Sequence, residues 1–517
     1  MLFRSAEASR IFADAGDGSG EAKAHQVRAG LLARLGRVGE AEAALDQALA
    51  AARVVDDRSR VTAILGSVPV AALFGPSSVA RAGGRCLDVV RLLHITSASP
   101  SVEATSMRCQ AVLEALRGRF DVARSLLANA RTSLEELGLR HGLLETDLFA
   151  GMVELIAGQP SAAVVPLRRA YDGLGSLGVG ADAGRAAALL SRALLAQGDV
   201  DGADVMAAAS EGLAGQNLQT AVAWRLARAE VSAAQGDLDG AIATAAEAVD
   251  IAASTDLTID HADACAALAA FRGSAGDVAL AASARREARH LYEAKGATVL
   301  AERLRMPAES APIGSAPTDS APTVVSGHLV DVREANDSVL ASIDLKDDPE
   351  GAHDGLGGRR LAALRSVDQS SGSRRRSEVD NDASRMGLAW LDLFNDGDID
   401  GISDRLSDDF ESVNRRSIRM ETEPTTAEEF IDDARLSREV FSECAAEVLA
   451  VRGERLALLS VVLRSDSGDE IAMLLLDEVD AAGRLARVAM FDTSDLQAAL
   501  DDMESRSVLI EGAPIGD

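Results

Sequence analysis

Lysine is nearly missing from this chain. It occurs only at Lys23, Lys295 and Lys346, and arginine supplies almost all of the positive charge. With 52 basic against 81 acidic residues, the net charge is -29. No counterion-releasing basic surface is available overall, which argues against nucleic acid as the main partner. The same deficit argues against an anionic membrane surface. Cysteine is scarce as well: Cys86, Cys109, Cys265 and Cys444 are far apart and form no metal-binding spacing. Each is expected to pack as a small buried apolar residue in a reducing compartment. No stretch approaches the roughly 18 apolar residues of a membrane span, and the N-terminus has no apolar signal core. A cytoplasmic location is expected.

Signatures of chemistry are also lacking. There is no Gly-x4-Gly-Lys-Ser/Thr phosphate loop, no His-Glu-x-x-His, no Cys-x-x-Cys and no Gly-x-Ser-x-Gly. The seven histidines are scattered; His25, His94, His141, His261 and His290 read as ordinary surface or packing residues. No cofactor and no metal are implied.

What is present is a repeat. A glycine is followed five positions later by alanine at Gly36/Ala41, Gly75/Ala80, Gly118/Ala123, Gly158/Ala163, Gly198/Ala203, Gly236/Ala241 and Gly276/Ala281. Successive glycines lie 39, 43, 40, 40, 38 and 40 residues apart, the signature of stacked supersecondary units. Around each glycine the pattern is apolar helix, turn, apolar helix; Thr220–Ala234 and Leu238–Ala252 flank Gly236. Glycine suits the left-handed end of a first helix, and Asp199, Asp237 and Asp277 are placed to cap a second. Seven residues before the glycine stand Ala29, Ala111, Gly151, Ser191, Ala229 and Ala269, with Val68 the exception. Twelve after it stand Ala48, Ala130, Ala170, Ala248 and Ala288. Small side chains there let neighbouring helices approach closely.

This pattern resembles the tetratricopeptide repeat. An apolar residue two after the glycine (Val38, Phe120, Val200, Leu238, Val278) fits it, while Ser77 and Pro160 depart. The period exceeds the usual ~34. The resemblance implies an α-solenoid presenting an extended surface, not a single pocket, with a groove lined by the first helix of each repeat. In that register Arg108, Glu145, Met152, Arg185 and Arg192 face the groove. Arg185 and Arg192, seven apart on one helical face, suit a carboxylate of a protein or peptide partner; solvated arginines on an alanine-rich helix are the alternative.

The array spans 1–306 and begins at Ser9–Ala15 like the back half of an earlier repeat, without a polar cap. That predicts either a covering partner or a longer architecture. Residues 307–383 read as a linker. Ser310-Ala311-Pro312 recurs at Ser315-Ala316-Pro317 and Ser320-Ala321-Pro322, with a short helix over Leu329–Leu345 and a basic run Arg374–Arg376. A second domain over 384–506 shows helices at Met386–Phe394, Ile399–Leu406 and Thr426–Leu436. Strands follow at Ala446–Val451, Arg455–Arg464, Glu470–Val479 and Leu485–Phe491, and then a helix at Asp495–Met503. Residues 507–517 read as a frayed tail.

Three helices followed by a curved antiparallel sheet resemble the cone-shaped nuclear transport factor 2-like fold, also used by polyketide-cyclase-like proteins. The resemblance implies an enclosed cavity, with Trp390, Phe394, Phe410, Met473 and Phe491 as lining or core, and room for a small ligand. Enzymes of this kind place an acid–base pair inside the cone. Here Asp408–Arg416 occupies the relevant stretch, the domain has no histidine, and Glu411 or Asp492 would serve as a base only if buried. No catalytic residue is assigned.

Taken whole, the order of parts resembles the C-terminal region of actinobacterial adenylate/guanylate cyclase–ATPase signalling proteins. The stretches that carry the likeness are Leu73–Pro76, Arg117–Arg124, Val451–Leu458 and Phe491–Leu496; the scarcity of lysine with abundant Ala and Gly fits a high-GC bacterial genome. The family's cyclase and ATPase parts have no counterpart here, so no nucleotide or metal residue carries over. The resemblance implies a non-catalytic scaffold for protein or peptide binding in signalling or regulation, its cone joined by a flexible tether. An isomerase- or dehydratase-like cone recruited by the repeats is a second reading, and an inactive truncated relative a third.

Overall fold

The computed structural model describes residues 2–96, 99–305, 381–416 and 424–512. The Pro/Ser-rich linker, the helix expected over 329–345, the Arg374–Arg376 run and residues 513–517 lie outside the described residues.

After a first helix, α1 (Leu2–Asp14), and α2 (Gly18–Arg34), the turn at Gly36 leads into α3 (Val38–Val54), the second helix of the first hairpin. The second hairpin departs from the rest. Its first helix is split into α4 (Arg58–Leu65) and α5 (Val68–Phe74) because Pro69 lacks an N–H and cannot continue α4; α6 (Val79–Thr96) completes it. Five regular hairpins follow: α7 (Pro100–Leu116) with α8 (Phe120–Glu136), α9 (Arg140–Ile156) with α10 (Pro160–Ser176), and α11 (Gly180–Leu195) with α12 (Val200–Leu213). The last two are α13 (Leu218–Ala234) with α14 (Leu238–Ala253), and α15 (Thr258–Ser274) with α16 (Val278–Lys295); α17 (Thr298–Arg305) ends the array. The fold is a tetratricopeptide-like α-solenoid plus a small α+β domain.

Each turn glycine of the sequence sits between the two helices of a hairpin. Six have left-handed φ between 67° and 92°, where an L side chain is strained. Gly75 is the exception, at φ -74° and ψ -175°: it precedes Pro76, which forces the residue before it into extended backbone. The small positions close the helix seams. Ala111, Ala229, Ala48, Ala130, Ala170, Ala248 and Ala288 are fully buried, and a Cβ on Gly151 would lie 2.3 Å from the Leu167 side chain. Asp199 and Asp237 cap α12 and α14 by accepting from Gly202 and Gly240 N–H; Asp277 makes no such bond.

The array does not stay open. It curls until its last elements touch its first turns. Asp256, in the turn before α15, accepts from Val38 N–H (2.6 Å) and Gly39 N–H (2.8 Å), and its own N–H donates to Gly36 O (2.9 Å). It thereby caps α3 from the other end of the solenoid. Lys295 is 1% exposed and donates to Gly75 O at 2.6 Å; burial lowers its pKa to about 8, against the pull of Glu42. Arg303 donates to Ile156 O and Thr298 to Leu116 O. The expected extended surface is thus corrected: the concave face is turned inward.

The α+β domain starts at Asn381, whose side chain caps α18 (Asp382–Asp396) and also donates to Gly453 O and Leu456 O. After α19 (Ile399–Ser403) comes a strand absent from the sequence reading, β1 (Leu406–Asn414), then α20 (Ala427–Val440). The remaining elements are β2 (Glu443–Arg452), β3 (Leu456–Arg464), β4 (Glu470–Val479), β5 (Leu485–Asp492) and α21 (Leu496–Gly512). The sheet order is β1-β5-β4-β3-β2, with β1 parallel to β5 and the other pairs antiparallel. One face packs on α18, α19 and α20, the other on α21. The tail expected to fray from 507 is helical to Gly512, because Met503 and Ile510 pack on that second face.

The cone is docked on the repeats. Gly83 and Gly84 sit inside α6, where glycine costs about 1 kcal/mol relative to alanine. Their use is close approach: a Cβ on Gly83 would lie 1.8 Å from Asp469 Oδ1, and one on Gly84 1.8 Å from Glu470 O. Arg117 and Arg119, either side of the third turn, reach Asp469 (2.5 Å) and the Gly468 and Ser467 carbonyls. Fully buried Asp88 accepts from Arg91 (2.9 Å) and from Arg416 of the cone (3.0 Å), and Arg91 also reaches Asp433 (2.7 Å). Burial alone would raise the Asp88 carboxyl, yet Arg416 and Arg91 hold it at about 2. The expectation of a cone acting freely on its tether gives way to a seated one.

Candidate functional site

Closing the array leaves a cavity of about 480 Å³ on its inner side, within the range of roughly 300–1,000 Å³ usual for ligand pockets. It is lined by the first helices of the second to seventh hairpins and by α17. Much of the lining is apolar, with Leu73, Leu116, Leu155, Leu189 and Leu300. Its charged residues form two unequal groups, around Arg192 and around Arg185, with exposed Arg303, which donates to Ile156 O, beside them.

In the first group every member is paired. Arg192 donates to Glu230 (3.0 Å) and lies 3.9 Å from Asp263, which also accepts from the Tyr292 hydroxyl. Burial raises the Glu230 carboxyl while Arg192 opposes that rise. The second group is looser. The Arg185 guanidinium lies 4.2 Å from the Phe74 ring centroid and donates to Gln219 Oε1 at 3.3 Å; Gln219 in turn donates to Asp260 (3.1 Å). Among the described residues Arg185 forms no ion pair. Burial lowers its pKa, partly offset by Asp260.

The chain matches no known family model and no curated protein. Among solved structures, it is similar to BtubC (BKLC) from P. vanneervenii, with 14% identity over 46% of this chain and 94% of that one, at a TM-score of 0.32. It is also similar to a putative kinesin light chain from Podosopora anserina with nearly identical TPR-like repeats, with 18% identity over 38% and 98%, at a TM-score of 0.29. A steroid delta-isomerase from Pseudomonas aeruginosa matches with 20% identity over 27% and 100%, at a TM-score of 0.20.

Of the residues expected to face the groove, Met152, Arg185 and Arg192 line the cavity. Arg108 and Glu145 do not. Arg108 is 3% exposed in the seam between α7 and α9, donating to Gly142 O, Thr105 and Glu145. Arg185 and Arg192 are not equivalent either, since Glu230 already holds Arg192. The lining register was legible in part: Arg185 and Arg192 stand 13 and 6 residues before their turn glycine, and the same count in the next repeats gives Ala223, Glu230 and Asp263. Glu145, also 13 before its glycine, is held by Arg108 outside the cavity, and Ala270 does not reach it. Phe74 and Asp260 carry no such signal.

The cone holds a cavity of only about 60 Å³, far below the roughly 300 Å³ of a substrate pocket. Trp390, Phe394 and Met473 line it, with Arg91 of α6 at its edge. Phe410 instead packs on Phe430, ring centroids 5.0 Å apart. Phe491 points to the opposite face of the sheet, as strand alternation from Met490 requires. Glu411 is half-exposed and paired with Arg487 (3.1 Å), and Asp492 with Arg416 (3.4 Å), so neither is a buried, unpaired base. Sequence reasoning missed Asp477. It is fully buried on β4, where burial pushes its carboxyl up to about 7. The Trp390 indole N–H, which tends to lower it, forms no well-aligned bond to it. Asp477 does not line the cavity. Among the described residues no acidic, His or Cys cluster could hold a metal ion, and no helix is long and apolar enough to cross a membrane. All four cysteines are buried and free.

Proposed function

We propose that this chain is a non-catalytic repeat scaffold of bacterial signalling or regulation, in which an occupant of the ring cavity sets the state read by a partner protein. The observation that carries this reading is the cavity of about 480 Å³ on the concave face. A peptide lying along an open groove needs the first helices of successive hairpins to face solvent. Here they face one another, so the occupant is compact and a protein partner meets the outer helices. A ligand shifts such a scaffold only as far as it prefers one state over the other. The contacts that close the ring, Asp256 to α3 and Lys295 to Gly75, are the elements such a preference would act on. The cytoplasmic setting of cyclase–ATPase regulators suits a receiver of this kind.

The test is native mass spectrometry of the full chain purified gently from bacterial cells. A bound small molecule is expected, and it should be absent from Ala223→Trp, whose bulky side chain intrudes into the cavity. A chain that carries nothing, or an Ala223→Trp variant that carries the same species, would overturn the reading.

A further inference from the structure

The cavity also indicates what it holds, an inference that rests on the reading above. Its two charged groups differ in what they lack. Arg192, Glu230, Asp263 and Tyr292 satisfy one another. Arg185 does not: with one long hydrogen bond to a neutral amide and a stacking contact on Phe74, its guanidinium keeps N–H groups that no carboxylate meets. Asp260, the nearest acid of this group, is bridged to it only through Gln219. The two are unequal in a second way. A buried carboxyl can take up a proton and become neutral, and burial already raises Asp260. A guanidinium stays charged under all ordinary conditions. The group left in need of a counterion is therefore the cation.

Around Arg185 the lining is largely hydrocarbon: Leu73 and Phe74 of α5, Leu189 on the next turn of α11, and Leu116, Leu155 and Leu300 of the same cavity. A bound molecule must present an anion at one end and apolar surface along the rest. A bare phosphate or sulfate would strand its remaining oxygens against leucine. A second acid group would meet the Glu230 and Asp263 carboxylates or have to reach exposed Arg303, which already donates to Ile156 O. We infer that the ring cavity binds a small apolar monocarboxylic acid, its carboxylate on the Arg185 guanidinium and its hydrocarbon body against the leucines. Planar guanidinium and planar carboxylate match in a two-bond fork, and Phe74 holds the guanidinium plane from one face.

The test compares decanoate, decanol and decylamine as probes of the full-length protein by calorimetric titration. Decanoate should bind, and decanol should bind about 10- to 100-fold more weakly, the usual worth of a charge-assisted pair out of water. Arg185→Leu should abolish the preference while leaving decanol binding in place, which also reports that the variant is folded; Arg185→Lys should restore part of it. Ala223→Trp should bind none of the three. Decanol or decylamine binding the wild type as tightly as decanoate, blocked by Ala223→Trp, would overturn the carboxylate assignment and leave the cavity reading standing. If a leucine-terminated hexapeptide binds and decanoate does not, the small-molecule assignment falls. If no probe binds the wild type, the carboxylic-acid assignment falls, and the bound species found by native mass spectrometry decides the cavity reading separately.

Discussion

Replacing Gly84 with alanine places a methyl carbon 1.8 Å from the Glu470 carbonyl oxygen, on a backbone that cannot rotate away as a side chain would. To reach even 3.0 Å, the closest that real Cβ atoms show, the start of β4 must retreat by more than about 1 Å. Asp469 is the adjacent residue, and its 2.5 Å contact with Arg117 is nearly dry, the side chains being 14% and 6% exposed. Losing that contact costs about 3 kcal/mol, the low end for a buried pair, since Arg117 keeps Glu114 at 3.0 Å. Against this stands the gain of about 1 kcal/mol from alanine inside a helix. The balance disfavours docking by about 2 kcal/mol, a shift of roughly 30-fold toward the undocked cone. Hydrogen exchange on the full chain reads this directly: amides of α6 and of residues 465–471 should exchange faster while α11 to α14 are unchanged. Gly30 on α2 is the control, since nothing lies within 4 Å of its Cβ position; Gly30→Ala should stabilise by about 1 kcal/mol without opening anything. If Gly84→Ala behaves like Gly30→Ala, the close-approach account of the glycine pair is wrong.

Asp88→Asn should also weaken docking of the cone, because it removes the carboxylate that bridges buried Arg91 and Arg416 and leaves them with Asp433 and Asp492. The cost should fall below the about 3–5 kcal/mol of a buried charge left unpaired. In the wild type the Asp88 carboxyl is depressed to about 2 from 3.8, so its contribution is present above pH 3.8 and lost as pH falls through 2; scattering in acid should show the cone detaching only there. Asp477 has the opposite sign. Raised to about 7 from 3.8, it costs nothing below pH 3.8 and progressively more up to pH 7, reaching about 4 kcal/mol. Asp477→Asn should therefore stabilise the protein in denaturant at pH 8 and leave it unchanged near pH 3.5. Asp256→Ala should orphan two N–H groups of α3 and cost about 1–2 kcal/mol, with faster exchange at Val38 and Gly39 as the specific readout.

The hairpins were legible because each rests on a local pattern: a glycine that must turn left-handed and small residues that must fit between helices. Gly75 broke the pattern for an equally local reason, the proline after it. Closure of the ring was not legible. Asp256 and Val38 are 218 residues apart in sequence, and a single aspartate in a turn looks like any other. The edge strand β1 was hidden by Asp408 and Asp409, exposed on a strand whose register shifts between Leu406 and Glu411; outward charge there mimics a loop. The glycine pair of α6 has no local signal either, because its use is the close approach of Asp469 and Glu470 from the other domain. The cavity was half legible. Position relative to the turn glycine found Arg185, Arg192 and Met152, whereas Arg108 sits ten residues before its glycine and turns into a helix seam. The missing carboxylate beside Arg185 is a property of three-dimensional neighbours and has no sequence signal.

The measurement that bears most directly on the whole account is anomalous diffraction from crystals of the full chain soaked with a terminally bromine-labelled decanoate. A bromine peak inside the ring, on the Leu155 and Leu300 side, with carboxylate density on the Arg185 guanidinium, is the predicted result. A closed ring holding no bromine, or a peak only on the outer surface or in the cone, would contradict it.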